Sequence, residues 1–259
     1  MQTNSPHTDN VQSSVVNVNW QNAMNLVKYT HQSVFLTGKA GTGKSTFLKQ
    51  VCQETKKKFV VLAPTGIAAI NAEGSTLHSF FKLPFYPLLP DVPNLSLQRG
   101  RIHKFFKYSK SHRKLLEELE LVIIDEISMV RADIMDMIDA KLKAAKKSVL
   151  PFGGCQMLCF GDLFQLPPVQ DQDDEAKRFM ETNYGTYFFF GAKSVARSSF
   201  KKLELTHVFR QAEEEFINIL NKIRLGNIGE NDIAKINERT INPPSKTKTI
   251  SVTSTNSSA

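Results

Sequence analysis

Two short stretches of the sequence contain residue types that proteins use to handle phosphate groups. The first, residues 38–45, reads GKAGTGKS and matches the pattern G-x-x-x-x-G-K-[ST] in full. An apolar run precedes it and a helical pattern follows, which disfavours the alternative of a glycine-rich turn that binds no ligand. In such loops the backbone N–H groups surround phosphates, Lys44 reaches the terminal phosphates and the Ser45 hydroxyl ligates magnesium. The predicted nucleotide-binding residues here are Gly38, Ala40, Gly41, Thr42, Gly43, Lys44, Ser45 and Thr46.

The second stretch is a pair of acids at the end of an apolar run. Leu121–Ile124 is followed directly by Asp125 and Glu126. A carboxylate at a strand end can hold the magnesium shell, and its neighbour can orient or deprotonate the attacking water. We therefore assign Asp125 to the metal and Glu126 to the water. Either acid could instead cap a following helix, but the phosphate-loop motif upstream favours the catalytic interpretation.

These motifs must be positioned by the elements around them. Short apolar runs, each followed by Gly, Pro or Asp, predict strands buried on both faces at residues 34–37, 59–63, 121–124 and 157–160. Helical patterns lie between them, for example at residues 44–52 and 131–147. Alternation of strand and helix predicts an α/β fold, a parallel sheet with helices on both faces.

Composition restricts the class of protein further. The 259 residues carry a formal net charge of +8, which suits a polyanionic partner but is weak evidence by itself. The three cysteines, Cys52, Cys155 and Cys159, form no disulfide framework. Since the C-x3-C pair lacks a second Cys or His pair, we expect core thiols rather than zinc ligands. No signal peptide or apolar run of about 18 residues occurs, which predicts a cytoplasmic protein with no membrane partner.

The chain divides into three parts by composition. Residues 1–18 are polar and predict a flexible segment, residues 19–225 predict the ATPase lobe, and residues 226–259 predict a linker. Residues 84–114 contain four prolines and a run of basic side chains. This segment is interpreted as a surface insertion, either a solvated basic loop or a segment that contacts phosphates.

Five blocks in order resemble the Pif1 family of superfamily 1 DNA helicases, and the resemblance covers about residues 18–211. They are GKAGTGKS at 38–45, APTGIAA at 63–69, GSTLHSFF at 74–81, IDEISMV at 124–130 and GDLFQLPPV at 161–169. Residues 131–154, which end in PFGG, also resemble the family's segment between its acidic and Gly-Asp motifs. RecD-like helicases share the loop and the Gln motif but resemble residues 131–154 less.

The resemblance implies a RecA-like P-loop NTPase lobe of an ATP- and Mg2+-dependent DNA helicase. It implies translocation 5′ to 3′ on single-stranded DNA, action at junctions between single-stranded and duplex DNA, and roles in DNA repair, recombination or genome maintenance. We expect a monomer. By the same resemblance Gln21 reads adenine, Gln165 senses the γ-phosphate and Arg210 stabilises charge during transfer. Residues 249–256 look like the first strand and Thr-Asn turn of a second lobe, cut off as it starts.

The predicted DNA contacts have a physical basis of their own. After a strand, the Thr65 hydroxyl and nearby backbone N–H groups can hold phosphates, while the rings of His78, Phe80 and Phe81 offer flat surfaces to unstacked bases. The competing interpretation is that Phe80 and Phe81 are core residues, and we expect this of one of the two. The predicted DNA-binding residues are Pro64, Thr65, Gly66, Thr76, His78, Ser79 and Phe80.

Two other classes of function are also compatible with a phosphate loop. A P-loop kinase would use the same loop, but the block at residues 161–169 and the aromatic, basic segment after Gly74 argue against it. A nucleotide-dependent DNA-binding switch would bind both ligands without separating strands. Stimulation of ATP turnover by single-stranded DNA tests the first alternative, and strand separation tests the second.

Overall fold

The computed structural model describes residues 9–84, 108–170, 172–206 and 214–238. Its strands are β1 Val34–Gly38, β2 Phe59–Ala63, β3 Ser75–Thr76, β4 Leu121–Ile124, β5 Gln156–Gly161 and β6 Lys201–Leu205. Its α-helices are α1 Asp9–Tyr29, α2 Lys44–Glu54, α3 Gly66–Asn71, α4 Leu77–Phe81, α5 Lys110–Glu118, α6 Ala132–Lys146, α7 Asp174–Tyr184, α8 Lys193–Arg197, α9 Glu214–Leu225 and α10 Glu230–Asn237. Short 3-10 turns occur at Ile127–Met129, Pro151–Gly154 and Phe189–Gly191.

The six strands form one sheet in the order β3-β2-β4-β5-β1-β6, and every strand pair is parallel. The register pairs Leu36 with Phe160 and Ile124 with Cys159. All carboxyl ends therefore lie at one edge of the sheet, called here the carboxyl edge. The predicted α/β fold with a parallel sheet is confirmed.

Helices cover both faces of this sheet, so its central strands are buried on both sides. One face packs against α6, whose Ile138 and Leu142 are fully buried. The other packs against α1 and α2, where Val27 and Phe47 are fully buried. Each such side chain contributes on the order of 1.5–3 kcal/mol by leaving water. The spacing of four residues predicted for α6 is what places its apolar side chains on one face.

Two of the strands were not predicted from the sequence. β3 has only two residues, which is too short for a hydrophobic period to register. β6 lies at the edge of the sheet, and its Lys201, Lys202 and Glu204 are exposed. Charged side chains are common on edge strands because they oppose pairing with other chains, and here they removed the apolar pattern.

The segment boundaries differ from the predicted ones. Residues 1–8 of the predicted flexible segment lie outside the described residues, whereas residues 9–18 belong to α1, which begins at Asp9. Once a helix has formed, each further turn costs little. In the predicted insertion 84–114, residues 85–107 lie outside the described residues, whereas Lys110–Glu118 is a helix with Leu116 fully buried.

The chain divides into two compact units, Met1–Ala212 and Glu213–Ala259. The division falls before α9, earlier than the end at residue 225 that the sequence predicted. In the second unit, the helix α10 lies within the predicted linker. Lys222 of α9 donates from Nζ to both carboxylate oxygens of Asp232 in α10, at 2.8 and 3.0 Å. Residues 249–256, the predicted start of a second lobe, lie outside the described residues.

Cys155 and Cys159 are buried and free, which confirms them as core thiols. Burial raises the pKa of the Cys155 thiol to about 11, and it donates to the Leu119 carbonyl at 2.9 Å. Across the described ranges, no helix has both the length and the apolar character needed to span a membrane.

Candidate functional site

The predicted phosphate-handling motifs meet at the carboxyl edge of the sheet. Residues 38–45 follow β1, Asp125 and Glu126 follow β4, and residues 162–165 follow β5. β5 lies between β1 and β4 and pairs with both. Motifs spread over residues 38–165 of the sequence are thereby brought to three neighbouring strand ends.

The loop between β1 and α2 takes the shape that its glycines allow. Gly41 and Gly43 have φ of 78° and 88°, in the left-handed region that glycine enters at little cost. Gly43 precedes the first residue of α2, so the helix N-terminus, with its partial positive charge, opens at the loop. Lys44 Nζ donates to the carbonyls of Gly38 and Lys39 at 2.6 and 2.9 Å. The Lys44 side chain is therefore hydrogen-bonded back to the residues that begin the loop.

The two acids differ in backbone conformation. Asp125 continues the line of β4, and its N–H donates to the Leu62 carbonyl at 2.9 Å. Its Oδ1 accepts from the Glu126 N–H at 2.9 Å. Glu126 has φ 51° and ψ 45°, a left-handed conformation that is uncommon and costly for a non-glycine residue. Such local strain is typical of functional sites, where it aims one side chain.

Electrostatics at this edge favour a bound cation. Burial raises the pKa of Asp125 above its usual range, opposed by the hydrogen bond from the Glu126 N–H and then by the Lys44 ammonium. Burial also raises the pKa of Glu126, and the carboxylates of Asp125 and Asp162 add to this rise. The carboxylate of Glu126 thus interacts with those of Asp125 and Asp162 and with one ammonium group, that of Lys44. A divalent cation bound beside them would favour their charged forms.

The segment after β5 is joined to the acidic motif by close packing. A Cβ on Gly161 would lie 2.8 Å from Ile127 Cγ2 and 3.1 Å from Ser128 N, so only glycine fits without a shift. The next residue, Asp162, is buried and accepts from Gln165 Nε2 at 3.3 Å. Gln165 itself is exposed. The pair lies where the sequence placed a γ-phosphate sensor, and the buried Asp162 behind it was not predicted.

A cleft of about 590 Å³ opens between these motifs. It has a volume typical of small-molecule sites. The predicted residues Ala40, Gly41, Gly43, Lys44, Ser45, Thr46, Glu126 and Gln165 line it, together with Trp20.

Of the remaining predicted site residues, several lie elsewhere. Gly38 and Thr42 are buried beneath the loop, where the Thr42 hydroxyl donates to the Lys39 carbonyl at 2.9 Å. Gln21 is exposed on α1, does not line the cleft and donates its amide to Asn25 Oδ1 at 3.0 Å. Arg210 lies outside the described residues.

Trp20, the residue before Gln21, is the unpredicted member of the cleft. Its indole Nε1 donates to Gln50 Oε1 at 2.8 Å, and its ring packs edge-on against Phe47 at 4.9 Å between centroids. Successive helix residues point about 100° apart, so Trp20 faces α2 whereas Gln21 faces away. The signal available in the sequence was the single tryptophan, which lies in the segment that precedes the first strand.

The predicted DNA residues lie at and after the ends of β2 and β3, further along the same carboxyl edge. Thr65 and Thr76 are the N-cap residues of α3 and α4, and their hydroxyls accept from Ala68 N and Ser79 N at 3.2 Å each. A hydroxyl that accepts one bond can still donate its proton. Pro64 is half-buried, and Gly66 and Ser79 are exposed. A Cβ on Gly66 would meet nothing within 4 Å.

The aromatic residues of α4 divide as expected. Phe81 is fully buried in the core, whereas Phe80 is partly exposed and packs edge-on against it at 4.9 Å. His78 is also partly exposed. Burial, reinforced by the Arg131 guanidinium, lowers the pKa of His78 below its usual value, while Asp133 opposes this effect. At neutral pH His78 therefore presents a neutral ring, which suits stacking.

Comparisons with known proteins agree with this arrangement of motifs. A family model described as PIF1-like helicase matches residues 10–234. The chain belongs to the PIF1-like helicase family. Among its Pif1 relatives, the ATP-dependent DNA helicase PIF1 of Emericella nidulans is 34% identical over 90% of this chain and 30% of its own length. The mouse protein of the same name is 35% identical over 75% of this chain and 27% of its own length.

Solved Pif1 structures resemble the fold as well as the sequence. A Bacteroides Pif1 bound to single-stranded DNA is 45% identical, with a TM-score of 0.76 over 86% of this chain and 49% of that chain. A Bacteroides Pif1 complex with ADP-AlF3 and single-stranded DNA is 44% identical, with a TM-score of 0.77 over 92% of this chain and 51% of that one. This chain therefore spans about half the length of the Pif1 chains whose structures it matches.

Proposed function

We propose that this chain is the ATP-binding lobe of a DNA helicase, which couples ATP hydrolysis to movement along single-stranded DNA. The observation that carries the proposal is the carboxyl edge of the sheet. The phosphate loop, the acid pair and Gln165 lie at the ends of β1, β4 and β5, while the N-cap Thr65 follows β2 and the N-cap Thr76 is the last residue of β3. Nucleotide and DNA would then act on adjoining strand ends of one rigid sheet.

Each nucleotide-site residue has a proposed role. Loop N–H groups and Lys44 bind the phosphates, Glu126 orients the attacking water, and Gln165 responds to the γ-phosphate. Adenine binding by Gln21 and charge stabilisation by Arg210 are inferred from the family resemblance alone. Relatives named ATP-dependent DNA helicases and a Bacteroides Pif1 complex with ADP-AlF3 and single-stranded DNA support the assignment.

Magnesium fits the donor set at the acid pair. The Ser45 hydroxyl and the Asp125 carboxylate are oxygen ligands of the kind that Mg2+ prefers, and phosphate oxygens and water would complete its shell. In the described part of the chain, no group of three or more His, Cys, Asp or Glu residues forms a metal cage. An ion held jointly by protein and nucleotide matches this arrangement and would offset the raised pKa values of both acids.

A pair of lysine variants tests nucleotide binding. Lys44→Ala should weaken ATP affinity by a factor of about 10 or more, because charge-assisted hydrogen bonds contribute roughly 1.5–3 kcal/mol, and it should abolish ATP turnover. Lys49→Ala, on the same helix with a side chain 60% exposed, is the matched control and should bind ATP normally. Affinity comes from titration with a fluorescent nucleotide, and thermal unfolding verifies that both variants fold.

Near-normal ATP affinity in folded Lys44→Ala would refute the nucleotide site. Absence of single-stranded DNA binding by the unmodified chain would refute the DNA site. Binding of both ligands, with no stimulation of ATP turnover by DNA even in the full-length protein, would favour the nucleotide-dependent switch. The 5′ to 3′ polarity, the preference for junctions, the monomeric state and the cytoplasmic location stay predictions.

A further inference from the structure

A column of side chains packs against one side of α4, the helix that faces DNA in the proposed function. It contains Phe80, His112, Tyr108 and Lys141. The His112 ring lies 5.5 Å from the Phe80 ring and stacks on the Tyr108 ring at 4.8 Å with an interplanar angle of 21°. Lys141 Nζ lies 5.0 Å from the centroid of the Tyr108 ring. Three helices, α4, α5 and α6, thereby contribute to one stack.

The base of the column is fixed by hydrogen bonds. Lys141 is buried, and its Nζ donates to the Tyr108 hydroxyl at 3.0 Å. That hydroxyl donates in turn to the Phe81 carbonyl at 2.8 Å, at the C-terminal end of α4. Burial lowers the pKa of Lys141 to about 7, so the hydrogen bond to the Tyr108 hydroxyl, rather than a full positive charge, fixes this end of the column. Tyr108 is therefore held from below and connected directly to the backbone beside Phe80.

His112 occupies the position between this fixed base and Phe80. Its Nε2 is buried without a hydrogen-bond partner, but the imidazole also hydrogen-bonds to the Phe80 backbone. His112 therefore contacts Phe80 through its backbone and its ring. A buried nitrogen without a partner costs free energy, and the site keeps it nevertheless. Among the described ring contacts, Phe80 has two aromatic neighbours, His112 and the core residue Phe81. His112 and Phe81 are thus the aromatic neighbours that limit the orientation of the Phe80 ring.

We propose that His112 is a positioning residue for single-stranded DNA: supported by Tyr108, it holds the Phe80 ring at the angle at which a base stacks on it. The proposal rests on the proposed function, since it requires α4 to face DNA. It differs from a direct DNA contact because His112 acts through Phe80. Pre-organising an aromatic ring increases affinity by reducing the entropy lost on binding.

A double-mutant cycle tests this role. His112→Ala should lower affinity for a single-stranded oligonucleotide by about fivefold, because it frees the ring on which a base stacks. Phe80→Ala should lower affinity at least as much. In the Phe80→Ala background, His112→Ala should cause no further loss, since residues that act through one another are not additive. Fluorescence anisotropy gives the affinities, and thermal unfolding is recorded for every variant.

Two further variants separate positioning from folding. His112→Phe keeps a ring between Tyr108 and Phe80 and removes the unpartnered nitrogen, so it should restore normal DNA affinity. Leu115→Ala truncates an exposed side chain on the same helix, α5, and should leave DNA affinity unchanged. Failure of His112→Phe to restore binding would overturn the stacking account.

These measurements distinguish the positioning role of His112 from the proposed function of the chain. If the unmodified chain binds DNA and His112→Ala binds equally well, the positioning role is wrong while the proposed function stands. If the losses of the two single variants multiply in the double variant, His112 contacts DNA itself and the positioning role is again wrong. If the unmodified chain binds no single-stranded DNA, the proposed function fails and the positioning role falls with it.

Discussion

At the scale of single residues, Asp125 and Glu126 are adjacent in sequence but occupy different backbone conformations. Asp125 directly follows the strand β4, whereas Glu126 turns into the left-handed region and starts the 3-10 turn Ile127–Met129. Glu126 lines the cleft together with Lys44 and Ser45. This difference supports the separate roles proposed for the two acids.

Glu126→Gln should retain ATP binding, because the proposed metal ligand Asp125 and Lys44 are unchanged. It should slow hydrolysis by a factor of about 100 or more, the typical contribution of a general base. Single-turnover phosphate release measures hydrolysis, and nucleotide titration measures affinity. A loss of affinity in Glu126→Gln as severe as in Lys44→Ala would show that the division of labour between the acids is wrong.

The sequence located the phosphate loop, the acid pair and the Gln165 segment because each motif is contiguous. It could not locate Trp20 in the cleft or Asp162 behind Gln165, since both assignments depend on packing between elements. The orientation of Gln21 is another example. The sequence alone does not show which of two neighbouring helix residues faces the loop. The packing of α1 on α2 directs Trp20 rather than Gln21 toward it.

At the scale of elements, hydrogen bonds of Lys57 and Gln156 join the C-terminal end of α1 to the sheet. Lys57 Nζ donates to the carbonyls of Val27 and Thr30 at 2.7 and 2.5 Å and to Gln156 Oε1 at 2.7 Å. The fully buried Gln156, on β5, donates in return to the carbonyls of Leu26 and Gln32 at 3.0 and 2.6 Å. A cation here satisfies orphan carbonyls and offsets the negative end of the helix.

Lys57→Met should lower the free energy of unfolding by about 2–3 kcal/mol, since it leaves carbonyls and the buried Gln156 amide without their charged donor. Lys58→Met is the matched control. Lys58 pairs with Glu118 at 2.8 Å, but its side chain is 64% exposed, and exposed pairs contribute at most about 1 kcal/mol. Urea denaturation compares the two. Equal losses in both variants would contradict the capping role.

Element boundaries also separate what the sequence predicts from what it does not. The buried strands β1, β2, β4 and β5 are largely apolar runs, so each of their ends was predicted to within one residue. β6 escaped because Lys201, Lys202 and Glu204 are solvated at the sheet edge. The helical start at Asp9 escaped because residues 9–18 carry no sustained apolar period.

At the scale of the whole molecule, the formal net charge of +8 raises the local concentration of polyanions but does not create a site. Specific binding depends on which phosphates the carboxyl edge contacts. In the proposed function, the hydroxyls of Thr65 and Thr76 and the rings of His78 and Phe80 would recognise features shared by all single strands, namely phosphates and base faces. Affinity should therefore depend strongly on salt and weakly on base sequence.

Binding of single-stranded DNA should weaken linearly on a plot of log affinity against log salt, with a slope of about −0.7 for each phosphate neutralised. Oligonucleotides of dT and dA should give similar slopes, measured by anisotropy at several salt concentrations. Lys56→Gln provides the control. Lys56 is exposed just before β2, at the opposite edge of the sheet, so its loss lowers the net charge by one without removing a contact. The slope should stay unchanged, because counterion release counts contacted phosphates rather than total charge. A salt-independent affinity, or an equal change of slope on removing any exposed lysine, would mean that DNA binds by overall charge and not at the carboxyl edge.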